Sequence, residues 1–433
     1  MKKSLFAIAA VTAFAGAAQA QSSVTVYGIL DVGLVGYNTR EANLGRSSST
    51  GNLNGTVNKT TGNAFSSSAE STSRLGFKGS EDLGGGVSAF FTVELGLTPQ
   101  GQQVVGTSGT QNRQTFVGLK KNGLGEAAIG TQYTIVHKAV AVTDPGQANN
   151  IMGNLVYPAA TEGAGSAENS TGAAYTVRTN NQLSLSSANF AGFTVNGMLV
   201  ANNKNSTQTV STNGSGDVNS AGGVNNQNGW GLGANYAWKN LFVTANYQAL
   251  TSKNPYNEQV SYVFSGSTGA SAASVPTTRP GFPTVGYAGG ASTPGQNIKD
   301  NQMYVAATYD FGILKAYAQY INRKATDGLN SDYYVKRTAQ QIGVRSFITP
   351  KVEAWASGAL GRYTGYGANS ANMTAWQLGS NYWLSKRTNL YAIYGQTGTS
   401  NTSLPTNSAG GAQAANPSSF NGSNYAVGVR HTF

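Results

Sequence analysis

Apolar and polar residues alternate along most of this chain. Across Ser23–Leu34 the even positions are Val24, Val26, Gly28, Leu30, Val32 and Leu34, while the odd positions include Thr25 and Asp31. A period of two sends successive side chains to opposite faces of a strand, and ten or more such residues match one tilted crossing of a membrane barrel. The cleanest alternation is Val87–Leu95, where Val87, Ala89, Phe91, Val93 and Leu95 share one face and Glu94 lies on the other. Just before it, Ser73–Gly79 turns Leu75 and Phe77 outward and Arg74 and Lys78 inward, and Gly84-Gly85-Gly86 reads as a tight turn.

The rhythm then repeats. Strand pairs are predicted at 113–120 with 126–133, 175–186 with 193–202, 230–237 with 241–250, 302–309 with 313–323, 337–347 with 352–363, and 374–384 with 388–398; 425–433 is the last strand. This gives about sixteen strands, with short turns at one end and long polar loops at the other, the pattern of an all-β, transmembrane antiparallel β-barrel. On the last strand Tyr425, Val427, Val429, His431 and Phe433 share the outward face, with Tyr425 and Phe433 near opposite membrane interfaces. That strand is expected to pair with the first, because an open edge cannot sit in hydrocarbon.

Residues 38–71, 203–227 and 252–298 are polar and read as long loops at an exposed outer surface. One further stretch, Thr134–Ala173, is about forty residues of mostly Gly, Ala, Asn, Ser and Thr without a helical or strand period. Connections beyond about 12–15 residues are uncommon in compact domains. In a wide barrel such a loop can fold inward and narrow the lumen, so 134–173 is the expected constriction.

Composition sharpens this picture. Charged residues are 10% of the chain, against about 25% in ordinary soluble domains. Met1–Ser4 with the apolar run Leu5–Ala18 and Ala18-Gln19-Ala20 reads as a secretory signal cleaved after Ala20, leaving 21–433 as a single barrel domain. No cysteine is present, which excludes disulfides and thiolate chemistry. The net charge of +11 comes from basic residues scattered singly, without the runs that would suggest nucleic acid.

With those features assembled, the chain resembles the trimeric general porins of Gram-negative outer membranes, most closely the β-proteobacterial type. The resemblance rests on Ser23-Val24-Thr25-Val26-Tyr27-Gly28, on Ser73-Arg74-Leu75-Gly76-Phe77-Lys78-Gly79-Ser80-Glu81-Asp82-Leu83-Gly84, and on Arg113-Gln114-Thr115-Phe116-Val117-Gly118-Leu119. It rests also on Ala188–Phe193, on Leu384–Tyr391, and on the ending Val427–Phe433. It implies a homotrimer, a third loop folded into the lumen, and a cluster of arginines facing that loop. Arg74, Arg113 and Arg178 match three of those arginines; Thr131 stands where the family has another. Tyr425 and the terminal Phe433 match the signal read by the barrel-assembly machinery. The surroundings implied are outer-membrane lipid and lipopolysaccharide, and the cargo is small hydrophilic solutes and anions.

The candidate residues follow from this frame. Arg74, Arg113 and Arg178 form either a fixed positive field that favours anions, or a wall neutralised by lumen acids such as Asp31 and Glu94. Asp144, Glu162 and Glu168 are the loop acids that could oppose them. Lys78, Thr131, Lys315, Arg323, Arg337 and Arg345 fall on inward faces of the lumen wall, where the basic ones extend the field. His137 and His431 read as structural or exposed, and two distant histidines give no metal site. No cofactor and no catalytic triad is expected. The alternative to a diffusion channel is a surface adhesin or antigen barrel with a non-conducting lumen.

Overall fold

The structure is a computed structural model that describes residues 23–46, 53–101, 111–158, 175–212, 218–254, 296–327, 331, 334–365, 370–404 and 416–433. The expected signal segment, most of 252–298, and the loop acids Glu162 and Glu168 lie outside the described residues.

The described strands form one antiparallel sheet that closes on itself. In chain order they are β1 (Ser23–Arg46), β2 (Leu53–Ser67), β3 (Arg74–Gly84), β4 (Val87–Gly96), β5 (Asn112–Lys121) and β6 (Gly125–Tyr133). After helix α1 (Ile135–Thr143) come β7 (Arg178–Ser187), β8 (Phe193–Thr212), β9 (Val218–Trp238), β10 (Leu241–Asn254) and β11 (Gln296–Asp310). The chain ends with β12 (Lys315–Asp327), β13 (Tyr334–Thr349), β14 (Val352–Gly365), β15 (Ala371–Trp383), β16 (Thr388–Leu404) and β17 (Asn416–Thr432). Closure pairs β1 with β17, from Ile29 opposite Thr432 to Asn43 opposite Ser418. Gly28 and Phe433 extend the ladder by exchanging backbone hydrogen bonds of 3.1 Å.

Seventeen segments make sixteen staves. β2 and β3 lie end to end along one edge of β1: Val32–Arg46 pairs with β2, and Ser23–Ile29 pairs with β3. The interruption, Ser68–Ser73, leaves the sheet with Ser68 at a φ of 68°. Asp31 holds it there. The Asp31 carbonyl accepts the Ser68 N–H at 2.9 Å, its Oδ2 accepts the Glu70 and Ser71 N–H groups at 2.8 and 2.6 Å, and the Tyr391 hydroxyl donates to its Oδ1 at 2.6 Å. Asp31 is on the lumen side as the period predicts, yet it is fully buried and serves this break rather than any arginine.

Two expected loops and one strand start are corrected. Most of 38–71 is strand, the β8–β9 hairpin runs through much of 203–227, and the last strand begins at Asn416 rather than Tyr425. Beyond the bilayer both faces of a strand meet water, so the alternation disappears while the backbone ladder continues.

Within the bilayer span the alternation holds. Val117, Leu119, Ile129, Leu199, Leu232 and Ile342 are exposed on the outside, while Glu94, Arg113, Gln182, Gln248 and Gln377 are buried on the inside. Two outward aromatic belts bracket the apolar band, one including Trp238, Tyr309, Tyr382 and Phe433 and the other Trp230, Tyr247, Trp376 and Tyr425. Such girdles mark the two membrane interfaces of a barrel about 25 Å apart. Tyr425 and Phe433 therefore fall in opposite belts, as their spacing predicts.

Candidate pore constriction

The segment after β6 turns into the barrel and begins with a helix that the alternation does not reveal. Thr134 caps α1, accepting the His137 N–H on its Oγ1 at 3.3 Å. Four of the nine helical residues are Ile or Val, and β-branched residues are mediocre helix formers. Burial compensates: Ile135, Val136, Ala139 and Val140 pack against Met198, Val200, Tyr304 and other wall residues. His137 is buried among Tyr133, Tyr157 and Tyr175, with its Nδ1 3.0 Å from the Tyr175 hydroxyl, so its role is structural.

A row of inward glutamines seats this segment. Gln248 on β10 accepts the Val136 N–H at 3.4 Å, and Gln302 on β11 accepts the Thr176 N–H at 2.8 Å. Gln319 on β12 donates to the Thr143 carbonyl, and Gln341 on β13 donates to Asp144 Oδ1 at 2.8 Å. On β15 the Gln377 amide donates to Asn149 Oδ1, the Ile151 carbonyl and the Met152 carbonyl at 3.0, 3.1 and 3.0 Å, while its Oε1 accepts from Asn149 Nδ2 at 2.6 Å. The path ends on the wall break, where Asn150 N–H donates to the Ala69 carbonyl at 3.0 Å and Asn150 Nδ2 to the Ser68 carbonyl at 2.8 Å. A side-chain amide carries both donors and an acceptor, so it can satisfy irregular backbone of either polarity.

Asp144 belongs to this seat. It is buried, its Oδ2 accepts the Ala148 N–H at 2.8 Å, and its Oδ1 accepts from Asn154 and Gln341, each at 2.8 Å. Burial pushes its carboxyl above the ordinary range, and those hydrogen bonds pull it back. The expectation that Asp144 opposes the arginines is therefore corrected: its oxygens are spent on anchoring the loop.

The three predicted arginines meet on the β3–β7 wall. Arg113, fully buried, donates from Nε to Glu94 Oε1 at 2.8 Å and from Nη2 to the Tyr133 hydroxyl at 2.6 Å. Arg74 places Nη1 3.9 Å from the same Glu94 oxygen and is itself steadied by the Thr72 carbonyl (2.8 Å) and the Ser71 hydroxyl (3.1 Å). Arg178 sits opposite Tyr133 in the β6–β7 ladder, its guanidinium 5.4 Å from that ring's centroid. Glu94 also accepts from the Tyr27 hydroxyl at 3.0 Å. One carboxylate thus stands between Arg74 and Arg113, with Arg178 linked to them through Tyr133, and it comes from the wall rather than from the loop.

The remaining wall residues divide. Arg323 pairs with Asp300 (Nε–Oδ1 2.9 Å), and Arg345 pairs with Glu353 at 2.5 Å while donating to the Pro145 carbonyl at 2.7 Å. Both are thereby compensated. Arg337 is buried with its guanidinium 5.9 Å over the Tyr363 ring. Lys78 lies 5.4 Å over Tyr27; Thr131 is corrected, because it pairs with Thr115 on the outward face that Val117 and Ile129 share and donates to Asn180 Oδ1 at 3.2 Å there rather than lining the lumen. Lys315 joins Lys138 and Glu126 around a cavity of about 520 Å³ between α1 and the wall. His431 is exposed and bonded to Thr388 at 2.8 Å.

Comparison with known proteins agrees with this architecture. A family described as Gram-negative porin matches residues 7–402. An outer membrane porin protein of Bordetella pertussis is 37% identical over 169 residues, 35% of this chain and 40% of that protein. Outer membrane porin protein 32 of Delftia acidovorans is 32% identical over 198 residues, 45% of this chain and 48% of that protein. The chain thus spans less than half the length of these curated relatives in alignment. In structure, the anion-selective porin from Comamonas acidovorans superposes with a TM-score of 0.60 at 22% identity, covering 95% of this chain and 100% of that one. A closed sixteen-stave barrel, an inward third loop and a family match across most of the sequence converge: this chain is a β-barrel of the outer membrane and belongs to the Gram-negative porin family.

Proposed function

We propose that the barrel is a water-filled channel for passive diffusion of small hydrophilic solutes and ions, that it prefers anions, and that it works as a homotrimer. The observation that carries the preference is the gathering of Arg74 and Arg113 around a single carboxylate, Glu94, with Arg178 against the ring of Tyr133, whose hydroxyl Arg113 also reaches. Two guanidinium groups against one carboxylate, with the Arg178 guanidinium beside them on Tyr133, give that wall a net positive charge. At several ångströms in a wet lumen each unit of excess charge is worth about 1 kcal/mol to a passing monovalent anion, a several-fold bias in permeability. The seated loop supports the reading because it narrows the lumen across from that wall. The terminal Phe433 and the strand leading to it are the segment that the barrel-assembly machinery would read.

Zero-current potentials across planar bilayers under a salt gradient test the preference. Wild-type channels should favour anions, and a double Arg74→Ser, Arg178→Ser variant should lose most of that bias. A cation preference in the wild type would overturn the arginine assignment. Stepwise conductance itself separates the channel from a surface adhesin, which would give none.

A further inference from the structure

The cavity of about 520 Å³ beneath α1 belongs neither to the glutamine seat nor to the arginine wall. Its wall comes from the inner faces of β6–β10 and β12, at residues such as Glu126, Asn196, Asn235, Phe242 and Lys315 that lie close to the short turns. In barrels of this kind the short turns face the periplasm. A solute moving inward past the arginines therefore meets this cavity next.

One side of the helix forms the ceiling. Ile135, Lys138, Ala139 and Val142 are three and four residues apart, so they share a face of α1. Ile135 and Ala139 are buried, whereas Lys138 is exposed and Val142 keeps 55% of its surface open. From the wall, Phe242 adds a half-buried ring, and Asn196 and Asn235 add amides. Both amides are held by their oxygens: the Ser186 hydroxyl donates to Asn196 Oδ1 at 2.9 Å, and the Thr244 hydroxyl donates to Asn235 Oδ1 at 2.7 Å. That leaves each Nδ2, which only donates, without a partner among the described residues.

The acids near the cavity each face a lysine across the ladder. Glu126 is opposite Lys120, and Asp310, whose Oδ1 accepts the Gly312 N–H at 2.7 Å, is opposite Lys315. Lys138 projects from the helix and forms no salt bridge among the described residues; Glu126 acts on it from beyond 4.0 Å. The cavity thus offers an ammonium, two amide donors and open apolar surface. An inorganic anion would leave the apolar surface wet, and a sugar would call for acceptors as well as donors.

We infer that this cavity is a transit site for small organic carboxylates with a compact apolar body, the carboxylate held by Lys138 and the two amides and the body lying between Val142 and Phe242. The inference rests on the channel reading and adds a solute class to it. Weak binding inside a channel promotes passage as long as release stays easy.

The test is chloride current through the purified protein in planar bilayers, titrated at constant chloride with benzoate and separately with acetate and benzamide. Benzoate should lower the current saturably, half-blocking at a concentration about tenfold below acetate, which lacks the ring, and benzamide, which lacks the charge. Lys138→Gln should raise the half-blocking benzoate concentration about tenfold. Val142→Ser should raise it about fivefold without moving the zero-current potential, because it changes no charge. Equal block by acetate or benzamide overturns the site, as does an unchanged benzoate value in either variant. Should Lys138→Gln not assemble, Lys315→Gln removes the cavity's other cation and is read by the same criterion. A wild type that conducts and prefers anions but shows no saturable benzoate block defeats this site alone; one that does not conduct defeats the channel reading and the site with it.

Discussion

The two halves of the inner wall hold polar groups for opposite purposes. From β10 to β15, apart from charged residues compensated within the wall such as Arg323 with Asp300 and Arg345 with Glu353, the inward positions that meet the loop segment are neutral amides, Gln248, Gln302, Gln319, Gln341 and Gln377. From β3 to β7 they are arginines gathered on Glu94 and Tyr133. Amides donate and accept, so they can grip an irregular backbone; guanidinium groups only donate and carry full charge. One wall is a shelf for the constriction and the other supplies its field. A barrel strand offers the same inward geometry everywhere, so residue chemistry alone assigns these tasks.

The contrast can be broken most severely at Glu94. Removing the carboxylate in Glu94→Ala leaves the fully buried Arg113 without its counter-charge, and losing one partner of a buried pair costs about 3–5 kcal/mol. Thermal unfolding should show a large drop in stability together with stronger anion preference in channels that survive. Unchanged stability would mean that Arg113 relies on Tyr133 alone. The shelf is next. Gln377→Leu strands Asn149 and the Ile151 and Met152 carbonyls, a loss of about 2–3 kcal/mol of loop seating. Single-channel conductance should rise and become noisier, with faster protease cleavage near 149–153 and little change in ion preference; a preference shift as large as that of the arginine variants would collapse the distinction between the walls.

The smallest effect is a pH dependence. Asp144 sits on the shelf side with its carboxyl raised by burial. A group raised in the folded state stabilises the seated loop fully below the unfolded carboxyl's value of about 3.9, and that contribution is lost as pH rises through the folded value. Loop protection against protease should therefore decline with rising pH in the wild type, and Asp144→Asn should flatten the profile. A wild-type profile that improves with pH would reverse the sign and exclude Asp144 as its source.

Much of this was readable in the sequence, for a physical reason. Membrane strands must alternate, so Arg74 and Glu94 could be placed on the lumen face from period alone, whereas Arg113 shares the parity of the outward Val117 and Leu119 and is turned inward by a bulge opposite Glu94 and Leu95. Their convergence follows from strands that are neighbours in the chain. The loop was harder. α1 is nine residues long and rich in β-branched side chains, and it is stabilised by a wall more than fifty residues away. Asp144, Glu162 and Glu168 look equivalent in a string of letters; only the distant Gln341 distinguishes Asp144 as an anchor. The glutamine row was visible as polar inward residues, but the backbone groups it serves are separated from it by 72 to 226 residues, as in Gln248 with the Thr176 carbonyl and Gln377 with the Ile151 carbonyl. The wall break was invisible because Ser68–Ser73 is polar inside a segment already polar on both faces.

That break also orders events during assembly. The far end of the constriction rests on the Ser68 and Ala69 carbonyls, and those are positioned by Asp31 from the first strand, by Tyr391 from the sixteenth, and by Glu70, whose Oε2 lies 3.4 Å from Arg430 of the last. The perch for Asn150 is complete once the two chain ends have met. A half-zipped barrel, still open between β1 and β17, lacks it. The narrow passage is thus a product of closure: the seam that completes the cylinder also sets its bore.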